Sequence, residues 1–479
     1  MGKKDVVVYS EDYKKLVDAA ALKDKYYEID ERVEEICKEA FKGCDKMEEI
    51  VMPKKLKKID SEAFQGCTGL TKLTLPDSVM SIGNYAFYGC SGLAELTLPN
   101  SVTSIERMTF YGCSGLTELT LPDSVARIDG LAFCGCSGLT ELTLPNSVKS
   151  IGDGAFADCS GLEKITVESG NSCYDSRDNC NSIIETETNT LIAGCKNSVI
   201  PNSVTSIGNS AFCGCSGLTE LTLPNILINI WESAFEGCSG LTELTLPNSV
   251  TSIADDAFRG CSGLTKLTLP SRVASIGRWA FYGCSGLTEL TLPNTLECIE
   301  ASAFRGCSGL TKLTLPSSVR LIEVSAFEGC SGLTELTLPN SVARIDGLAF
   351  GGCSGLTELT LPNSVKSIGD GAFTDCSGLE KITVESGNSR YDSRDNCNSI
   401  IDKKTNTLIA GCKNSVIPNS VASIWYEAFR GCTGLTKITL PDSVKSIEGE
   451  AFEGCSGLTK ITLPNSVTSI GYEAFRGCI

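Results

Sequence analysis

One 23-residue segment, from Gly69 to Ser91, reads GLTKLTLPDSVMSIGNYAFYGCS and recurs with small changes along most of the chain. The next two copies read GLAELTLPNSVTSIERMTFYGCS and GLTELTLPDSVARIDGLAFCGCS. A fixed period of this length is typical of repeat proteins, in which stacked copies share one hydrophobic core. A chain of 479 residues is therefore predicted to form one series of stacked copies and not several globular domains.

Two residue types keep a single register in the repeat. All 17 phenylalanines stand three positions before a repeat cysteine, and all 16 prolines stand at the end of the leucine segment. The repeat cysteines are Cys44, Cys67, Cys90, Cys113, Cys136, Cys159, Cys215, Cys238, Cys261, Cys284, Cys307, Cys330, Cys353, Cys376, Cys432, Cys455 and Cys478. A residue class confined to one register has one structural role, so the phenylalanines are predicted to be core residues.

The spacing within one copy predicts its local structure. Leu73 and Leu75 alternate with polar residues, which puts both leucines on one face of a strand. Pro76 ends that strand because it has no N–H for the ladder. Phe87 and Cys90 then share one side of a short return limb, which is predicted to contain short strand and 3-10 turns. No copy can bury these side chains alone, so the pattern predicts a solenoid with one parallel β-strand per 23-residue coil.

The motif LxxLxLPxSVxxIxxxAFxxC resembles the repeat of the BspA-like (treponemal class) leucine-rich-repeat proteins, over nearly the whole chain after about residue 27. The resemblance implies a leucine-rich-repeat solenoid. Proteins of this family are typically bacterial surface or secreted proteins, with relatives in some parasitic protists, and are implicated in adhesion to host matrix proteins and cells. The resemblance thus implies a non-enzymatic scaffold that binds host extracellular-matrix or cell-surface proteins. An intracellular interaction or assembly scaffold is the alternative.

The N-terminal region is more highly charged than the repeats that follow. Residues 1–44 are predicted to form a cap on the open end of the core, and residues 45–479 the solenoid. Ser10 is a candidate N-cap for a helix over about 11–22. The apolar residues at helical spacing are Tyr13, Leu16, Val17 and Ala20. A degenerate first repeat completes the cap, and a charged docking helix is the alternative interpretation.

The 23-residue period is interrupted twice, at about 168–201 and 385–418. Each interruption contains two apolar runs on either side of a polar tetrapeptide, which predicts an inserted β-hairpin that projects from a long coil. The block that begins at Gly115 recurs from Gly332 with an offset of 217 residues that holds through both hairpins. A duplication of this length suggests growth by copying, and a catalytic centre has no obvious reason to occur twice.

The 26 cysteines fall into two classes. The repeat cysteines are predicted to be buried thiols with parallel side chains, which act as small apolar residues with a weak S–H donor. Four other cysteines are predicted to face each other in pairs across the two hairpins, and each pair is a candidate for a cross-strand disulfide in an oxidising compartment. These candidate pairs are Cys180 with Cys195 and Cys397 with Cys412. Cys173 is predicted to be a free thiol, since Arg390 takes its place in the second copy.

Candidate binding residues lie where the copies differ, beside the Ala-Phe pair of the return limb. This strip contains all three tryptophans and many tyrosines and arginines, the types enriched in binding hot spots. The predicted binding residues are Tyr85, Tyr88, Tyr111, Trp231, Arg278, Trp279, Tyr282, Arg305, Trp425 and Tyr426. The favoured clusters are Arg278, Trp279 and Tyr282, and Trp425 with Tyr426. The alternative is that these aromatic residues only pack along neighbouring coils.

The composition and the motifs of the sequence argue against several classes of function. A net charge of −17 argues against nucleic acid as a partner, and the absence of histidine removes the commonest general base and metal ligand. The sequence shows no catalytic constellation, phosphate loop or paired CxxC motif, so no enzyme activity, cofactor or metal site is predicted. The sequence contains no run of 18 apolar residues, so no membrane span is predicted.

The two ends of the sequence bear on localisation and assembly. The family resemblance implies an extracellular or cell-surface location, whereas MGKKDVVVYS lacks the apolar region of a secretory signal, which leaves a cytoplasmic location as the alternative. The motif continues to Ile479 with no polar capping copy. An open solenoid end exposes core, so either a further segment covers it or two molecules associate there.

Overall fold

The computed structural model describes residues 7–478. The chain divides into two compact units, Met1–Leu241 and Thr242–Ile479. In both units the leucine segments of successive copies pair in parallel, with Leu73 opposite Leu96 in the first unit and Leu267 opposite Leu290 in the second. Each unit is therefore a parallel β-solenoid with coils of about 23 residues, which confirms the predicted leucine-rich-repeat solenoid but not its helical cap.

The first side of each coil carries what we call the leucine strand. Leu73 is buried, whereas its neighbours Lys72 and Thr74 face solvent. Outward charges of adjacent coils pair, as between Lys312 and Glu335 at 2.8 Å, and such exposed pairs contribute little to stability. The leucine strands are Tyr26–Glu28, Glu49–Val51, Lys72–Thr74, Glu95–Thr97, Glu118–Thr120, Glu141–Leu144 and Lys164–Val167 in the first unit, and Glu243–Thr245, Lys266–Thr268, Glu289–Thr291, Lys312–Thr314, Glu335–Thr337, Glu358–Leu361 and Lys381–Val384 in the second.

The second side of the coil carries a two-residue strand, which we call the isoleucine strand. Ile82 is buried and lies opposite Ile59 of the preceding coil, again in parallel. The isoleucine strands are Glu35–Ile36, Lys58–Ile59, Ser81–Ile82, Ser104–Ile105, Arg127–Ile128, Ser150–Ile151, Ser206–Ile207 and Asn229–Ile230 in the first unit, and Ser252–Ile253, Ser275–Ile276, Cys298–Ile299, Leu321–Ile322, Arg344–Ile345, Ser367–Ile368, Ser423–Ile424, Ser446–Ile447 and Ser469–Ile470 in the second.

The third side, which we call the turn face, runs from the residue after the isoleucine strand to the repeat cysteine. Its backbone also stacks, since the N–H of Phe281 donates to the carbonyl of Ala303 at 2.8 Å. The Phe281 ring is fully buried and lies between those of Phe258 and Phe304, with ring centroids 5.2 and 5.3 Å away. Gly283 follows at φ +70°, a left-handed conformation that glycine adopts without steric cost.

The repeat cysteines have a hydrogen-bonding role as well as a packing role. The S–H of Cys113 donates to the carbonyl of Phe87 in the preceding coil at 3.3 Å, and Cys307 does the same to Phe281. Burial raises the pKa of Cys113 to about 12, so the thiol stays protonated at neutral pH and keeps its donor. The prediction that these cysteines are buried thiols is confirmed for all of them except Cys478, which is half-buried.

The N-terminal helix predicted over 11–22 is wrong. Among residues 7–478 the structure contains no α-helix, and this region forms two strands, Val8–Tyr9 and Lys15–Asp18. Lys15–Asp18 pairs in parallel with Glu35–Ile36 and in antiparallel with Val8–Tyr9. The first coil has an unpaired sheet edge, and the hydrogen bonds that this segment makes with it stabilise a strand more than the helical spacing of its apolar residues stabilises a helix. In addition, Tyr13 has φ +58°, which cannot continue a helix. Residues 1–6 lie outside the described part, and the boundary after residue 44 stays a prediction.

Both predicted hairpins are present, but they do not project from the coil. Ser182–Glu185 pairs in antiparallel with Thr190–Gly194, which in turn pairs in parallel with Ser206–Ile207. The hairpin is thus part of the isoleucine sheet, and its side chains Ile184 and Leu191 are fully buried. The antiparallel strands of the two copies are Tyr174–Asp175, Ser182–Glu185, Thr190–Gly194, Tyr391–Asp392, Ile400–Asp402 and Thr407–Ala410, with 3-10 helices at Arg177–Asn179 and Arg394–Asn396.

Candidate functional site

All ten predicted binding residues lie on the turn face. The position five before the repeat cysteine has positive φ throughout the repeats, for example +59° at Tyr85 and +53° at Trp279. A left-handed backbone conformation at a bulky residue costs about 1–2 kcal/mol. The stacked backbone hydrogen bonds on either side hold the residue in this conformation. The structure brings the predicted residues together in three local groups and leaves Trp231, which is 45% exposed, apart from the other candidates.

The first group consists of tyrosines in the first unit. The rings of Tyr88 and Tyr111 stack with centroids 4.8 Å apart, and the ring of Tyr85 lies 6.0 Å from that of Tyr88. All three side chains are half-buried. Packing along neighbouring coils thus accounts for much of the surface of these rings, as the alternative interpretation proposed.

The second group, which we call the Arg-Trp-Tyr cluster, consists of Arg259, Arg278, Trp279, Tyr282 and Arg305. The guanidinium of Arg259 lies 5.3 Å from the centre of the Tyr282 ring, and that of Arg305 lies 6.0 Å from it. Trp279 and Arg278 are exposed beside this stack. Each cation–π contact at an exposed site contributes about 0.5–1 kcal/mol, which restrains the side chains before any partner binds.

Ion pairs hold the two outer arginines of this cluster. Arg259 pairs with Asp256 at 3.3 Å, and Arg305 pairs with Glu328 at 3.0 Å. The arginines of these pairs are exposed and the carboxylates half-buried, so the pairs add little stability, but they limit the orientations of both guanidinium groups. The cluster is therefore a restrained surface of the three residue types that dominate binding hot spots.

The third group is Trp425 with Tyr426, each fixed by an acidic residue. The indole N–H of Trp425 donates to Asp370 Oδ1 at 2.8 Å while 39% of the residue remains exposed. The phenol of Tyr426 donates to Glu450 at 2.8 Å, and this hydrogen bond together with burial raises the Tyr426 pKa to about 12. Both aromatic rings are thus held in one orientation.

Sequence reasoning missed the acidic partners Asp370 and Glu450. Neither stands near its aromatic partner in the sequence, since Trp425 bonds to a residue 55 positions earlier. Comparison of the duplicated blocks singles out Trp425, which replaces Gly208, but not Asp370, because Asp153 already stands at the equivalent position of the first copy.

The predicted disulfides are not formed in the structure, where all four cysteines are free thiols. Ser182 and not Cys180 lies opposite Gly194 in the hairpin register. The S–H of Cys180 approaches the carbonyl of Ser182 at 3.6 Å, and that of Cys195 approaches the carbonyl of Asn181 at 3.5 Å. Each thiol therefore has its own acceptor. Cys173 is a free thiol, as predicted, and is half-exposed.

This arrangement predicts the outcome of a thiol titration with a chromogenic disulfide reagent at pH 7 to 8. Of the 26 cysteines, only Cys37, Cys173, Cys213, Cys298 and Cys478 are not fully buried. At most five thiols are expected to react with the native protein, and all 26 after denaturation without reductant. A total of 22 after denaturation would indicate instead that both hairpin disulfides are formed.

One further cluster contains residue types that bind metals. The Cys298 Sγ and one carboxylate oxygen each of Glu300 and Glu323 lie within 4.8 Å of one another. Burial, followed by the charge of Glu323, raises the pKa of Glu300. Partly exposed acidic groups of this kind are common in proteins without a metal, so no metal function is assigned to them.

The stacked leucine strands, isoleucine strands and Phe-Cys turns define the class of the molecule as a leucine-rich-repeat scaffold. More particularly, the chain belongs to the BspA-type leucine-rich-repeat family. The model of that family matches residues 23–136, 103–193, 188–308, 274–401 and 399–479. The resemblance seen in the repeat motif is thus confirmed over nearly the whole chain.

Several solved structures are similar to this chain. A leucine-rich cell surface protein from Faecalibacterium prausnitzii is 27% identical, with a TM-score of 0.49 over 76% of this chain and 86% of that protein. A leucine-rich-repeat protein from Eubacterium ventriosum is 22% identical, with a TM-score of 0.49 over 74% of this chain and 82% of that protein. No curated protein matches the chain. Residues 7–478 include no helix with the length and hydropathy of a membrane span.

Proposed function

We propose that this protein is a non-enzymatic adhesion scaffold, that it is a surface or secreted protein of a bacterium or protist, and that it binds host extracellular-matrix or cell-surface proteins. Membership of the BspA-type family supports a protein-binding scaffold. The observation that carries the assignment of a site is the Arg-Trp-Tyr cluster, where an exposed Trp279 lies beside a tyrosine held between two guanidinium groups.

The side chains of this site are pre-organised for binding. A protein partner loses about 0.5–1.5 kcal/mol of affinity for each long side chain that binding must immobilise. In the cluster, Arg259 and Arg305 are already restrained by Tyr282 and by their acidic partners. Trp279 adds a large rigid surface that is 41% exposed. A partner that binds at this place therefore has fewer side chains to immobilise.

A binding screen tests the proposal. The full chain is tested against immobilised matrix proteins and host cells, beside the variants Trp279→Ala and Tyr282→Ala. We expect saturable binding by the parent protein and at least tenfold weaker binding by both variants, as for loss of a hot-spot residue worth about 2 kcal/mol.

The matched control is Met80→Ala, which removes an exposed apolar side chain outside the turn face. Met80 is 60% exposed and is expected to leave binding unchanged. If both cluster variants bind as tightly as the parent, the Arg-Trp-Tyr cluster is not the site. If no matrix protein or cell surface is bound by the parent, the adhesive role is wrong.

The intracellular interaction scaffold remains the second candidate, and the thiol-rich composition of 26 cysteines favours it. Cytosolic proteins keep their cysteines reduced, whereas secreted proteins form disulfides where geometry permits. The thiol titration above separates the two locations when it is applied to protein from its native source. Self-association through the C-terminal coil stays a prediction.

A further inference from the structure

A cleft of about 240 Å³ lies beside the second hairpin, away from the Arg-Trp-Tyr cluster. Its wall combines an aromatic ring, two cations, two carboxylates and several hydroxyl groups. The lining residues that carry the argument are Lys366, Asp370, Arg390, Tyr391, Asp402 and Trp425. Clefts for drug-sized ligands have about 300–1000 Å³, so this one has room for a single small ring.

The wall of the cleft is rigidly built. The indole of Trp425 is fixed by its hydrogen bond to Asp370. The Tyr391 hydroxyl accepts the backbone N–H of Ile368 at 3.2 Å, and Tyr391 is only 4% exposed. These contacts place an exposed aromatic face beside a fixed hydroxyl group.

An ion pair between a half-exposed arginine and a buried carboxylate forms the polar side of the cleft. Arg390 and Asp402 are 2.7 Å apart, and the carboxylate of Asp402 is 6% exposed. The other oxygen of this carboxylate accepts the backbone N–H of Lys404 at 2.8 Å, which fixes the group further. The Nε–H of Arg390 is buried and has no hydrogen-bond partner among the described residues. A donor without accessible surface is out of reach of a ligand, so the exposed part of the Arg390 side chain, which is 41% exposed, is what can donate to a ligand in the cleft.

The charges of the lining residues indicate the kind of ligand. Lys366 and Arg390 balance Asp370 and Asp402, so the cleft is formally neutral and has no excess charge to attract an ion. A pyranose ring offers an apolar face of C–H groups for the indole, and equatorial hydroxyls that both donate and accept. A guanidinium can donate to one hydroxyl, and a carboxylate beside it can accept from the neighbouring hydroxyl. We propose that this cleft binds one neutral pyranose ring of a glycan.

The first hairpin supplies an internal comparison. At the positions of Arg390 and Trp425 it has Cys173 and Gly208, which have neither a guanidinium nor an aromatic face. The residue equivalent to Asp370 is Asp153, which accepts a hydrogen bond from Asn209 at 3.1 Å instead of from an indole. The duplicated backbone is therefore shared, and the side chains for sugar binding are found in the second copy.

Saturation-transfer NMR tests this site with the full chain. The probes are the methyl glycosides of glucose, galactose, mannose and N-acetylglucosamine at millimolar concentration. We expect transfer to at least one glycoside, and binding at least about tenfold weaker for Trp425→Gly, which loses the aromatic face. This variant introduces the residue that the first copy already has, so the coil accommodates it.

The matched control is Trp231→Gly, because Trp231 occupies the same position of a coil that follows no hairpin directly. Its backbone N–H donates to the preceding isoleucine strand as that of Trp425 donates to the hairpin strand. Unchanged sugar binding by this variant, with loss in Trp425→Gly, supports the proposal. It is overturned if none of the four glycosides receives transfer, if both variants bind equally, or if inorganic phosphate and not a glycoside saturates the cleft. None of these outcomes depends on adhesion to proteins.

Discussion

Phe281→Ala is expected to lower the free energy of unfolding of the second unit by about 3–5 kcal/mol, the range for truncation of a buried phenylalanine. Phe281 has no exposed surface, and its ring contacts those of Phe258 and Phe304 in the adjoining coils. The loss has two parts. The variant loses the free energy gained by burying the ring away from water, and the removed ring leaves a cavity. The stacked hydrogen bonds of the turn face prevent this cavity from closing. In a solenoid each coil contacts only its neighbours, so the damage should be centred on three coils.

Urea unfolding followed by circular dichroism measures the total loss, and amide hydrogen exchange shows where it falls. The control is Phe475→Ala, because the Phe475 ring stacks on Phe452 and is only partly buried. A smaller loss is expected for the control. Equal losses for the two variants, or uniform acceleration of exchange through the unit, would contradict this account of local stacking.

The second large effect is expected for Gly411→Ala in the second hairpin. A Cβ atom built on Gly411 would lie 2.1 Å from Cε1 of Phe429, a core ring that has no exposed surface. The backbone cannot retreat easily, because the N–H of Gly411 donates to the carbonyl of Ala428 at 2.8 Å. Overpacking of this kind costs about 1–3 kcal/mol and sometimes more, so a clear fall in the melting temperature is expected.

Gly434→Ala is the matched control for this substitution. Its Cβ would approach the Cδ atom of Lys413 at 2.9 Å, and a flexible lysine stem can move aside. Differential scanning calorimetry of both variants should show a large fall in melting temperature for Gly411→Ala and a small one for Gly434→Ala. Similar values for the two would mean that the Phe429 ring has room to shift, against the packing described here.

The successful predictions came from residues whose role repeats in every coil. Phe281 and the other phenylalanines were assigned to the core because they never leave one register, and the structure buries all of them except Phe475, which is partly buried. The leucine strands and the thiols followed from the same argument. In each case the residue contacts its equivalent 23 residues away in the next coil, so sequence position alone specifies the contact.

The errors fell where the period is absent. Tyr13 and Leu16 have helical spacing, but the edge of the first coil decides the conformation of the segment, and that edge is formed by residues later in the chain. Cys180 and Cys195 were expected to face each other, but the hairpin register shifts between Ile183 and Ile184. A single shifted residue changes which side chains are opposite, and no local pattern reports it.

The amino-acid sequence by itself determined that this protein is a parallel solenoid of the leucine-rich-repeat class, which side chains fill its core and which face varies between coils. The reason is that burial of a repeated apolar pattern has one efficient solution when copies stack. Only the tertiary structure decided that the hairpins join the isoleucine sheet, that Asp370 fixes Trp425, and that Tyr282 lies between two arginines. Those contacts depend on register and side-chain direction between coils, which composition and period leave open.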